Sequence, residues 1–142
     1  MNKTLLIIAL LVLPISASGQ ELARQTDPCF DKATTQSELN TCATRALDSA
    51  DVDLNRVYQQ LLKKHAVQKT FIKKLKLAQE AWLKFRDAHI ESFYPELNED
   101  QLRAEGTIYS MCKVMENMRL TIERTEELKR MLNPKEGDIC GI

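Results

Sequence analysis

Apolar residues of the first long segment recur every three or four positions: Leu39, Ala43, Ala46, Leu47, Ala50, Leu54, Val57, Tyr58, Leu61 and Leu62. That spacing keeps them on one face of an α-helix. Thr35 and Glu38 stand in the T-x-x-E arrangement, in which each side chain caps the other's backbone N–H, and mark the helix start. No Pro or Gly intervenes before Ala66, so the pattern predicts one helix of about 30 residues, some 45 Å at about 1.5 Å per residue. Lys63-Lys64-His65 closes it with the positive charge that a helix C-terminus favours. After a break near Val67 to Thr70, a second stripe follows: Phe71, Leu75, Ala78, Trp82, Phe85 and His89 alternate by four and three. It should fade between Ser92 and Tyr94, because Pro95 disfavours helix at the residue before it. Asn98-x-x-Gln101 predicts a capped turn through Glu105, ended by Gly106. Ile108, Met111, Met115, Met118, Ile122, Thr125 and Leu128 then predict a third helix, from near Thr107 to Asn133-Pro134. No strand-like alternation competes. The pattern predicts an all-α fold, an antiparallel up-and-down bundle of three main helices plus a short connecting helical turn. Residues 20–33 lack periodicity and read as a loose arm, and 135–142 as a tail.

The first 19 residues differ in kind. Lys3 precedes an unbroken apolar run from Leu5 to Leu13, Pro14 breaks it, and Ala17-Ser18-Gly19 supplies small residues of the type a signal peptidase reads. The run is too short to span a bilayer, which takes roughly 20 helical residues. Residues 1–19 are therefore expected to be a cleaved signal peptide and 20–142 a single exported domain, periplasmic or secreted.

Composition narrows the function classes. The 142 residues carry 20 Lys+Arg against 20 Asp+Glu, and a balanced charge argues against a nucleic-acid partner, whose phosphates call for a basic excess. Only 4 Gly and 4 Pro leave few turns for a sandwich or barrel. Cys29, Cys42, Cys112 and Cys140 fit disulfides in an exported domain, with three connectivities open to four cysteines. His65 and His89 lie far apart with no partner motif, and read as solvated or capping residues. No Cys or His spacing matches a metal site, no catalytic signature is present, and no cofactor is expected.

Polar residues accompany the stripes. Asp51, Asn55 and Tyr58 on the first helix, Gln79, Trp82 and Arg86 on the second, and Thr121 and Arg124 on the third repeat at helical spacing. Polar groups at a core edge pair with one another, since burying one unpaired costs about 1–3 kcal/mol. Asp51, Asn55, Gln79, Arg86 and Arg124 are thus expected to form a structural seam that fixes helix register. A ligand-binding polar pocket is the sharper alternative.

The segments "TQSELNTCA" after Cys29-x12-Cys42, then "ADVDLNRVY", "AQEAWLKFRDA", "EGTIYSM" and "LTIERTEEL", together resemble the LprI-type lysozyme inhibitor family of small exported bacterial proteins. The resemblance runs from about Cys29 to Leu132. It implies an all-helical up-and-down bundle and, after the family's namesake, inhibition of lysozyme. Such proteins typically carry a cysteine where this chain has Ile90 and its partner where this chain has Glu116, so that bridge is expected to be absent. Cys42 lies about two turns into the first helix, within reach of the arm that bears Cys29, so a local Cys29–Cys42 bridge is sterically allowed. Cys112–Cys140 follows by default.

Two charged segments offer surfaces. Glu91, Glu96, Glu99, Asp100 and Glu105 face only Arg103 within their stretch, beside Phe93-Tyr94. An acidic loop with aromatic anchors suits a basic partner, because charge steers the encounter and rings supply contact area. Phe93, Tyr94, Glu96, Glu99 and Asp100 are the candidate partner-binding residues, and lysozymes are commonly basic. Lys63, Lys64, Lys69, Lys73, Lys74 and Lys76 cluster at the joint of the first two helices, where weak contact with anionic envelope surfaces is expected. The chain reads as a non-enzymatic exported protein that binds and inhibits lysozyme. The alternative is a periplasmic adaptor or envelope-stress protein that binds another bacterial protein.

Overall fold

The computed structural model describes residues 28–134 together with Gly137. The expected signal peptide, its cleavage point and Cys140 lie outside those residues. Five helices follow in order: α1 (Pro28–Lys32), α2 (Gln36–Lys64), α3 (Lys69–Phe93), α4 (Glu99–Glu105) and α5 (Thr107–Leu132). Among the described residues there is no strand.

The expected punctuation operates as written. Thr35 and Glu38 form the reciprocal capping box of α2, and Asn98 and Gln101 form that of α4. Gly106 serves both as C-cap of α4 and N-cap of α5, at φ 69°. A side chain there would meet nothing within 4 Å, so what demands glycine is the left-handed backbone rather than space. One expectation fails. The arm before α2 is not loose at its end, because Pro28 opens the short helix α1, as its fixed φ favours. The Cys29–Cys42 disulfide then ties α1 to α2, with the Cα atoms 5.7 Å apart. Cys112 carries a free, half-buried thiol. The expected partner of Cys112, Cys140, lies outside the described residues.

Side-chain contacts fix the topology. Asn40 donates to the Thr107 carbonyl near the start of α2, and Lys64 donates to the Leu132 carbonyl at its end. The two helices therefore run parallel. α3 descends between their ends, with Gln79 opposite Arg124 and His89 opposite Glu116. The bundle is up-down-up, and the closest packing joins α2 to α5.

That packing makes two apolar cores. The lower one seats Ala43 and Ala50 of α2 against Met115 and Met118 of α5, with Phe30 of α1 packed on it. Small residues on α2 let the helices approach. The upper core joins Leu54, Val57 and Leu61 of α2, Leu75 of α3 and Leu128 of α5, with Phe71 and Trp82 leaning in.

The second stripe needs correction. α3 buries Leu75 and Ile90, and its half-buried residues between them include Gln79, Trp82 and Arg86. Ala78 and Phe85, expected inside, are exposed. The helix is rotated from its most apolar line toward the one that carries Arg86. The stems of long polar residues can span a wider gap there while their heads find partners. Trp82 is accordingly half-buried rather than fully enclosed. Trp82→Ala is expected to cost about 2–3 kcal/mol, below the roughly 3–5 kcal/mol of a fully buried ring. Urea unfolding should show it as a lower midpoint at unchanged slope.

Candidate functional site

The polar seam occupies the middle of the bundle. Arg86, with only 14% of its side chain exposed, donates from Nη1 to Asp51 Oδ1 and Thr121 Oγ1, each at 3.3 Å. Arg124 donates from Nε to Gln79 Oε1 at 3.1 Å and from Nη1 to Glu127 at 2.9 Å. Both guanidinium groups lie over the Trp82 ring, at 5.2 and 6.0 Å from its centroid. Asp51, Gln79, Arg86 and Arg124 are thus brought together across three helices. Asn55 is not, and lies exposed on the wall of a cleft between α2 and α3 of about 480 Å³. The guanidinium heads of Arg86 and Arg124 are already paired with protein groups.

The lower end of the bundle has a different character. Phe93 is 66% exposed. Tyr94 is half-buried and turned inward, edge-on to Tyr109 with ring centroids 5.5 Å apart. The expected pair of exposed aromatics is therefore one exposed ring and one anchor. The anchor matters for shape: the Tyr109 hydroxyl donates to the Pro95 carbonyl at 2.8 Å, pinning the loop to α5. Glu91 adds a second tether, accepting from the Glu96 backbone N–H at 2.8 Å and from Lys113 Nζ at 3.3 Å. These bonds, the Glu96 amide first, hold the Glu91 carboxyl below the usual glutamate range. Glu96, Glu99 and Asp100 stay exposed, the last two in the first turn of α4. A groove of about 580 Å³ runs between Pro95–Leu97 and Leu102 on one side and Tyr109 and Val114 on the other.

Sequence reasoning missed what adjoins this end. Phe85, His89 and Phe93 stack along α3, with centroids 5.5 and 5.0 Å apart. Phe85 is 55% exposed. Their spacing of four is visible in the chain, but it places Phe85 on the apolar stripe, and His89 reads there as a solvated or capping residue. His89 Nε2 lies 3.3 Å from Glu116 Oε1. Glu116 also accepts from Arg119, at 2.5 and 2.9 Å, and Arg119 bonds Glu123 at 2.6 Å. Ile90, where the typical bridge would begin, is buried. Among the described residues no group of His, Cys, Asp and Glu could hold a metal ion.

Arg119, followed by His89, holds the Glu116 carboxyl below its ordinary value of 4.5. A folded-state value below the unfolded one means the unfolded chain binds more protons in that window. The associated stability is present above about pH 4.5 and lost as pH falls through the folded value. Glu116→Gln is expected to flatten this acid limb, read as melting temperature against pH between about 5 and 3.

With that geometry in view, the comparisons decide the family. The family model for the lysozyme inhibitor LprI matches residues 29–128. The chain belongs to the LprI lysozyme inhibitor family. The first two main helices, the third as far as Leu128, the Cys29–Cys42 bridge and the acidic loop fall inside that LprI match. An uncharacterized protein of Rhizobium meliloti (strain 1021) is 31% identical over 128 residues, covering 81% of this chain and 86% of its own. No solved structure matches.

Proposed function

We propose that the protein is an exported inhibitor of a lysozyme and that the acidic, aromatic end of the bundle is its binding surface. The observation that carries this reading is the joining of an exposed aromatic ridge to a pinned acidic loop. Phe85 and Phe93 present apolar area, and Glu96, Glu99 and Asp100 carry exposed negative charge in the segment that follows Phe93. Tethers from Tyr109 and Glu91 pre-order the loop, so little conformational entropy is lost on docking. A basic partner fits this sign, with charge setting the encounter rate and the rings the residence time. Membership of an inhibitor family supports the lysozyme as that partner, and the disulfide supports export into an oxidising compartment.

The test is a cell-wall lysis assay with the mature chain titrated against several lysozyme types. A saturable fall in lysis for at least one type is expected. Unchanged lysis across all of them overturns the lysozyme reading and leaves the adaptor reading, whose partner would be another envelope protein.

A further inference from the structure

We propose that the opposite end of the bundle, the α2–α3 junction, is a docking surface for an anionic lipid bilayer. No Asp or Glu stands between Asp53 and Glu80, while Lys63, Lys64, Lys69, Lys73, Lys74 and Lys76 all fall in that interval. The fold gathers them at one pole, because α2 ends and α3 begins there.

Unpaired charge in a cluster sets these lysines apart. Several cations elsewhere are matched to carboxylates, among them Arg56 to Asp53, Arg86 to Asp51, Lys113 to Glu91 and Arg119 to Glu116, while the unpaired Lys32 and Lys84 stand apart from other lysines in the chain. Among the described residues, Lys63, Lys69, Lys73, Lys74 and Lys76 have no carboxylate partner. Lys64 is held by a carbonyl, that of Leu132, which leaves its charge uncompensated. The acids at this end of α5 are already used, Glu126 by Lys129 and Glu127 by Arg124. Unpaired ammonium groups keep their full attraction for an external anion.

Apolar exposure picks out the bilayer from other polyanions. Val67 sits at the tip of the junction and is 87% exposed, the most exposed large apolar residue described. Phe71 and Ile72 lie half-buried on the first turn of α3. Exposed lysines on the two helix ends that flank a protruding apolar side chain match a headgroup layer, which offers charge at its face and hydrocarbon beneath. A soluble polyanion offers only the charge. No described helix is long and apolar enough to cross a membrane, so the contact is peripheral. Docked this way, the bundle would stand about 40 Å tall at 1.5 Å per residue and point its acidic end away from the surface.

The experiment is vesicle co-sedimentation of the chain from Gln20 onward, which contains every described helix and the disulfide. Vesicles of phosphatidylcholine with about one-third phosphatidylglycerol are compared with phosphatidylcholine alone. Binding to the anionic vesicles only, weakening with salt, is expected. Each lysine near such a surface contributes about a fivefold factor. Replacing Lys63, Lys69, Lys73 and Lys74 together by Gln should therefore weaken partitioning at least about a hundredfold, with unchanged circular dichroism. Lys32→Gln with Lys84→Gln, away from the pole, should leave it within about threefold. Val67→Ser should reduce it about three- to tenfold. Absence of wild-type binding at low salt, or equal binding by the fourfold variant, overturns the proposal. So does binding to polyphosphate as tight as to vesicles with Val67→Ser without effect.

Discussion

Arg86→Ala is expected to lower stability by about 2–3 kcal/mol, among the largest effects of any single polar substitution in this chain. The guanidinium ties α3 to Asp51 of α2 and Thr121 of α5 at once, and its plane covers Trp82. Thr121 is fully buried, whereas the Asp51 side chain is 43% exposed and can be rehydrated. The cost therefore comes mostly from lost charge-assisted bonds and lost stem packing, not from a stranded carboxylate. Arg86→Met keeps the stem and loses the head, and should recover about 1 kcal/mol of the deficit. Urea midpoints of the three proteins check this. A change below about 0.5 kcal/mol in Arg86→Ala would show that α3 holds its place without the seam.

Neutralising the acidic loop should act on association and leave folding nearly untouched. Glu96→Gln, Glu99→Gln and Asp100→Asn together remove three exposed charges outside both apolar cores. Helical content and melting temperature should barely move, since Asn98 and Gln101 still cap α4. If the loop meets a basic lysozyme, the triple variant should associate about tenfold more slowly at low salt, with a shallower salt dependence. Stopped-flow association with wild-type and variant protein separates rate from affinity. Equal rates at low salt would move the binding surface off this loop.

Local chemistry made most of the fold legible. The capping boxes at Thr35/Glu38 and Asn98/Gln101, the break before Pro95 and the glycine at 106 each act within a few residues, so the chain shows them directly. Non-local competition decided what it did not show. On α3 two adjacent lines both look helical, one through Ala78 and Phe85, the other through Gln79, Arg86 and Ile90. The close approach of α2 to α5 through Ala43 and Ala50 leaves α3 facing a seam that long polar stems fill. Arg86 therefore turns in and Phe85 turns out, against their transfer preferences. Tyr94 turns inward because Tyr109 waits on α5. His89 meets Glu116 across a separation of 27 residues. Neither partner is readable from local spacing. The seam itself was visible as a repeated spacing on three helices, and only Asn55 falls outside it.

Amide hydrogen exchange of the chain with and without a basic lysozyme tests the assignment of the two ends most directly. Added protection is expected at residues 93–110, which include the pinned loop and α4, with no change at 63–76. Protection confined to 63–76, or none in the presence of a saturating lysozyme, would contradict the acidic end as the inhibitory surface.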